Sequence, residues 1–309
     1  MSDVRLRTFS SRFRVGRAAI VALGLLSAMR PFAAAERHYR RVDGWAQLPP
    51  GYHWGTMSAV AIDAVGRVYG FQRDDPTSKV IVFDAHGRYL KTWGEGAFPY
   101  AHGMRALRDG AIWTTDRQAQ LVIKFDVDGR QLFSLGRKGV AGTMESTDAF
   151  NGASDVAMAA NGDLFVSDGE GQNTRVVKFS KDGRFLKAWG TKGSGPGQLQ
   201  GPHAIFIDAT GRVWVGDRGN KRLQIFDQDG KYLDQLTQFG TPASLFIQGE
   251  MLYVASPAPE NKVTIGRVDG TVLETINGLD APHGIAVDAT GAIYVAQSGG
   301  KSILKFVKH

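Results

Sequence analysis

A unit of about 40 residues recurs along this chain, and no other feature restricts its fold so tightly. Each copy has an apolar strand ending in Asp, a tight turn around Gly and a second strand. A third strand of the type "RVVKFS" follows, then Asp-Gly, then a fourth such as "RFLKAWG". The segments "VAIDAVGRVYG", "DVAMAANGDLFVSD" and "GPHAIFIDATGRVWVGD" show the match. Short alternating strands between Gly and Asp turns predict antiparallel sheet, and four strands per unit predict a propeller blade. Copies begin near Ser58, His102, Ser154, His203, Ala243 and His283, which predicts one all-β, six-bladed β-propeller over 36–309. The sixth copy ends at "SILKFVKH" without a fourth strand, while "YRRVDGWAQL" (39–48) precedes the first copy with no blade of its own. That N-terminal strand is expected to complete the sixth blade and close the ring, removing the edges an open array would expose. The longest insertion, "VAGTMESTDAFNGA" (140–153), is expected to overhang one face.

Residues 1–35 stand apart from this pattern. Arg5, Arg7, Arg12, Arg14 and Arg17 precede the apolar run "AAIVALGLLSA", and "AAA" at 33–35 offers small residues for cleavage. This is the make-up of a secretory signal peptide, and it predicts a periplasmic or secreted protein. The run is shorter than the roughly 20 residues a spanning helix needs, so no stable membrane insertion is expected once the leader is removed. An uncleaved N-terminal anchor is the alternative. The leader holds six arginines and one aspartate, so the rest of the chain has a net charge of +2 rather than +7. The basic balance lies largely in the leader, and no nucleic-acid partner is implied. The chain has no cysteine, which excludes disulfides and thiolate metal sites. Its stability must come from core burial, which a chain of this length can supply.

Aligned on the turn glycine, the copies place Ser58, His102, Ser154, His203, Ala243 and His283 at one repeat position, with a one-residue gap in the fifth. Histidine occupies every even blade and a small residue every odd one. Alternate blades of a six-fold ring stand about 120° apart, and innermost strands line the channel. Three imidazoles would therefore converge on the axis with room between them. Three neutral imidazoles with an open fourth position are the donor set of a catalytic zinc site, although copper, nickel and iron also accept imidazole. Duplication of a Pro-His pair would make each histidine a mere strand cap, but it does not explain strict alternation. His38, His53, His86 and His309 fall outside the register and are expected at the surface or in packing.

Fifteen residues after the histidine position stand Arg73, Arg117, Gly169, Arg218 and Ser298 in the five gap-free copies. The first two strands of a blade form a hairpin, so the end of one lies beside the start of the other. The arginines are expected on the same face as the histidines, with the turns "DAVGR" and "DATGR" on the opposite one. Guanidinium forks around a metal suggest a small anionic substrate, most simply a carboxylate, with Arg117 among the groups binding it. Solvated turn arginines are the alternative for each one taken alone. No nucleophile elbow or phosphate loop is present.

These motifs resemble NHL repeats over nearly the whole chain beyond the leader. Within that class they are similar to the peptidyl-hydroxyglycine lyase (peptidylamidoglycolate lyase) family. The resemblance is carried by "AHGMRALRDGAIWTTD", "GPHAIFIDATGRVWVGDRGNKRLQIF" and "APHGIAVDATGAIYVAQ". It implies a six-bladed propeller with zinc held by His102, His203 and His283, and functional arginines at Arg73 and Arg218. It also implies C–N cleavage of an N-acyl hemiaminal to an amide and glyoxylate. Zinc would act as a Lewis acid on the substrate hydroxyl, and arginine would neutralise the carboxylate.

There are departures. Where the family has a catalytic tyrosine after Asp-Gly, this chain reads "SDGEGQN", which puts Glu170 next in a longer loop. Glu170 either takes over as base or turns to solvent, and Tyr100 is another stand-in. The family's structural calcium uses an aspartate after the third histidine. Here that residue is Gly284, which puts calcium in doubt. The family's cysteines are also missing. Three functions remain open: a metal-dependent lyase on a small hydroxylated amide, a metal-dependent hydrolase or lactonase on the same site, and a non-catalytic NHL binding module.

Overall fold

The computed structural model describes Met1 and residues 38–74 and 77–309. From residue 38 onward, six four-stranded antiparallel sheets form the blades of a propeller. Their innermost strands are Met57–Ile62, Ala101–Ala106, Ala153–Met158, Pro202–Ile207, Ser244–Gln248 and Pro282–Val287. Each of these packs beside the innermost strand of the next blade, the sixth against the first.

Ring closure follows the expectation. Tyr39–Val42 pairs antiparallel with Ser302–Lys308, Tyr39 opposite Lys308 and Val42 opposite Lys305, and so becomes the outer strand of the sixth blade. The first and last strands of the propeller share one sheet, so the last strand is covered on both sides and the ring is closed. The core is correspondingly divided. Six apolar clusters are wedged one between each pair of adjacent blades, so no blade can bury its faces alone.

Two Trp-Gly pairs, Trp93–Gly94 and Trp189–Gly190, act at these interfaces. Trp93, at the end of Tyr89–Trp93, packs on Phe125 of the second blade with ring centroids 5.1 Å apart. A Cβ on Gly129 of that blade would lie 2.5 Å from the Trp93 ring, so only glycine admits the contact. Trp189 repeats the arrangement against Phe226 and Gly230. The leader expected over residues 1–35 lies, Met1 apart, outside the described residues. Among the described residues no helix is long and apolar enough to cross a membrane.

Candidate metal centre

The histidines owe their orientation to a backbone irregularity. In five blades, pairing between the first two strands slips at the repeat position: at Met57/Ala59, Ala101/Met104, Ala153/Asp155, Pro202/Ala204 and Pro282/Gly284. A bulge leaves a residue unpaired and re-aims its side chain. Ser58, His102, Ser154, His203 and His283 fall in these slips. The fifth blade pairs without one, and Ala243 stands just ahead of its strand. The one-residue gap in the fifth copy is the missing bulge.

The three imidazoles meet on the axis, with ring centroids 4.7, 5.1 and 5.0 Å apart. His102 Nδ1 lies 2.8 Å from the Ser154 carbonyl, His203 Nδ1 2.6 Å from that of Ala243, and His283 Nδ1 2.7 Å from that of Ser58. A carbonyl can only accept, so each Nδ1 carries the hydrogen and each Nε2 keeps its lone pair. The acceptors are the odd-blade residues of the same repeat position. Alternation therefore has two halves: even blades supply imidazoles, and odd blades supply the carbonyls that orient them.

Burial, then the neighbouring His102 and the Arg218 guanidinium, hold His203 well below the ordinary histidine range. Burial, then His102 and Arg73, push His283 down to about 3. Neutral imidazole is the ligand form. His203 Nε2 is buried without a hydrogen-bond partner, a state that ordinarily costs about 1–3 kcal/mol. The donor atoms lie within 4.8 Å of one another, and the three histidines can hold a metal ion. The arrangement fits one: converging lone pairs, fixed tautomers and an orphaned buried nitrogen.

Glu170 does not turn to solvent. Its side chain is only 9% exposed, with Oε2 3.6 Å from His102 Nε2 and Oε1 3.4 Å from His203 Nε2. Arg218 Nη2 donates to Oε1 at 2.7 Å, and Arg117 Nη1 lies 3.5 Å from Oε2. Burial alone would raise the carboxyl pKa. The Arg218 guanidinium opposes that rise and favours the ionised carboxylate. Arg73 donates from Nε to the Ala101 carbonyl at 2.9 Å and from Nη1 to the Tyr100 hydroxyl at 3.3 Å. Its Nη2 is buried without a partner. Tyr100 lies under both Arg73 and Arg117, 4.4 and 5.4 Å from their guanidinium carbons. A cavity of about 350 Å³ opens beside Glu170, bordered by Tyr100, Arg117, Asn151 and Gly152.

Repeat chemistry positions this rim. Buried Asp116, Asp168 and Asp217 end their second strands and accept backbone N–H groups from Tyr100, Asn151 and Gln200, which fixes where Arg117, Gly169 and Arg218 begin. The third blade has glycine rather than arginine because a Cβ at 169 would meet the Pro202 carbonyl at 2.3 Å. Glu170 N–H donates to the Gly152 carbonyl at 2.9 Å, so the 140–153 insertion ends against the site. Arg175 holds that insertion. Its guanidinium donates to Asp168 and to the carbonyls of Met144, Ser146 and Ala149.

Below the histidines, the axis is filled from within. Arg105 donates from Nε and Nη2 to the two oxygens of Asp155, at 3.0 and 2.5 Å, and from Nη1 to the Leu245 carbonyl. Ile205 N–H donates to the same carboxylate. A Cβ on Gly284 would stand 2.6 Å from Ala59 Cα, so an aspartate does not fit there. The chain's own cation occupies this part of the channel, and its residues do not fit a calcium site. The repeat register marked Ser58, Ser154 and Ala243 but not the role of their carbonyls, and nothing in it marked Arg105, Asp155 or Arg175. The turn arginines Arg67 and Arg212 pair with Asp63 and Asp208 of their own turns. His38, His53, His86 and His309 are all exposed.

Fold and site together define an NHL-type six-bladed propeller with a three-histidine centre on its axis. The NHL repeat profile matches residues 199–226. The chain belongs to the family of NHL repeat-containing protein 3. It is 33% identical to the Homo sapiens protein of that name over 293 residues, covering 87% of this chain and 84% of that one. It is also similar to the probable peptidyl-alpha-hydroxyglycine alpha-amidating lyase of Caenorhabditis elegans, with 25% identity over 295 residues and 83% of each chain covered. Among solved structures, a streptogramin B lyase shares the fold, with a TM-score of 0.63 at 14% identity over 88% of this chain and 98% of that one.

Proposed function

We propose that this chain is a zinc-dependent lyase cleaving the C–N bond of a small N-acyl hemiaminal that carries a carboxylate, such as an N-acyl-α-hydroxyglycine. One observation carries the reading. Three Nε2 lone pairs converge beside three arginines, with a single buried carboxylate between the two groups. An all-imidazole donor set suits zinc, which when bound supplies a Lewis acid to the substrate hydroxyl. Arg218 and Arg117 take the substrate carboxylate, and the unpartnered Nη2 of Arg73 offers a further donor. Once Arg218 has exchanged Glu170 for the substrate, Glu170 regains basicity and takes the hydroxyl proton.

The O–H pair becomes the second bond of an aldehyde carbonyl. The C–N bond breaks with its electrons on nitrogen, and nitrogen receives the proton Glu170 carried. The products are a primary amide and glyoxylate, so atoms balance without water or an oxidant. Similarity to an amidating lyase over most of both chains supports this reading. The basic leader supports work outside the cytoplasm. The test is to incubate zinc-loaded protein with N-acyl-α-hydroxyglycines and measure glyoxylate and amide in equal amounts. Turnover confined to esters or lactones would replace the lyase by a hydrolase. No turnover on any of these would favour a binding module.

A further inference from the structure

We propose that the Glu170 carboxylate is a built-in fourth ligand that closes the metal centre at rest and yields its place to an incoming carboxylate. The proposal rests on the metal centre proposed above and not on the lyase chemistry.

The first argument is electrostatic. With hydrogens fixed on Nδ1 by the carbonyls of Ser154 and Ala243, the Nε2 atoms of His102 and His203 present lone pairs. The Glu170 oxygens, at 3.6 and 3.4 Å, present lone pairs too. Acceptors facing acceptors across a buried site repel unless a cation lies between them. The spacing supplies the second argument. Ligands about 2.0–2.2 Å from a tetrahedral zinc stand roughly 3.3–3.6 Å from one another, and the carboxylate oxygens already keep that distance from two of the three nitrogens.

Placement is the third argument. Glu170 N–H is bonded to the Gly152 carbonyl, and Cβ atoms on Gly152 or Gly171 would come within 2.2 or 2.1 Å of the facing loop. The loop is clamped with its carboxylate turned inward. Arg218 and Arg117 hold the outer side of the same carboxylate. A carboxylate-bearing ligand that engages the arginines can therefore compete with Glu170 for the metal position beside them. The site would be self-capped when empty and open only to anions that engage Arg218.

Cobalt(II) reports this directly, because its visible spectrum responds to coordination number and to added ligands. Cobalt-loaded wild type should show a four-coordinate spectrum that azide perturbs only weakly. In Glu170→Ala, azide should bind at least about 10-fold more tightly, and a chelator should strip cobalt about 10- to 100-fold faster. Glu170→Gln, nearly isosteric, should shift both readouts in the same direction and serves if the alanine variant does not fold. Circular dichroism checks the fold of each. Equal azide affinity and equal chelator release in wild type and both folded variants would overturn the proposal, as would a wild type that binds no cobalt. A wild type with the expected spectra but no glyoxylate release would leave Glu170's ligation standing and remove only the lyase assignment.

Discussion

Asp155→Ala removes one carboxylate and leaves a buried guanidinium without its counter-ion. Arg105 and Asp155 are 8% and 5% exposed, and their two-point contact lies on the propeller axis. The pair links the second and third blades, the third hydrogen bond of Arg105 reaches the fifth at Leu245, and Ile205 of the fourth donates to Asp155. Breaking a buried ion pair by deleting one partner costs about 3–5 kcal/mol. Unfolding entropy near 2.1 cal/mol/K per residue, over the roughly 270 residues of the propeller, amounts to about 0.6 kcal/mol/K. The variant should therefore melt about 5–9 °C below wild type. Arg105→Met combined with Asp155→Leu removes both charges and should recover most of that loss. Calorimetric melting of wild type, single and double variants, all metal-free, is the assay. A single variant within about 1 °C of wild type, or a double variant no more stable than the single, would refute the view that this pair pins the axis.

Other outcomes follow from the site. Arg218→Lys keeps the charge but loses the fork, and should lower kcat/KM on a carboxylate-bearing substrate about 30- to 1000-fold, equivalent to about 2–4 kcal/mol; unchanged kinetics would remove Arg218 from substrate binding. Gly284→Ala drives a Cβ to 2.6 Å from Ala59 Cα and should destabilise the protein by about 1–3 kcal/mol, read as a lowered denaturant midpoint. N-terminal sequencing of protein expressed with its leader should find a start near Glu36, whereas recovery of Met1 would rule out cleavage.

The fold was legible because each blade repeats one hairpin pattern, and the orphan strand at 39–42 matched the vacancy left after residue 308. The metal ligands were legible for a related reason: a repeat position filled alternately by histidine and small residues has little meaning outside a closed ring. Arg73, Arg117 and Arg218 could be placed from hairpin geometry alone. What stayed hidden depends on contacts that only ring closure creates. His283 bonds to Ser58 across 225 residues and Arg105 to Leu245 across 140. No local pattern records such partners. The bulges that aim the histidines were visible only as an alignment gap where one is missing. Glu170 was marked by its departure from the related lyases, but its inward turn is set by packing of 168–172 against Asn151 and Gly152.

Metal content tests the central claim most directly. Elemental analysis of purified protein, dialysed free of loose ions, should find about one zinc per chain in wild type. His203→Ala should hold far less and keep its propeller circular-dichroism spectrum, since the imidazole contributes one hydrogen bond to Ala243 and belongs to neither apolar cluster beside its blade. Equal metal in the two proteins, or none in wild type after loading with zinc, would contradict a metal centre built from alternate blades.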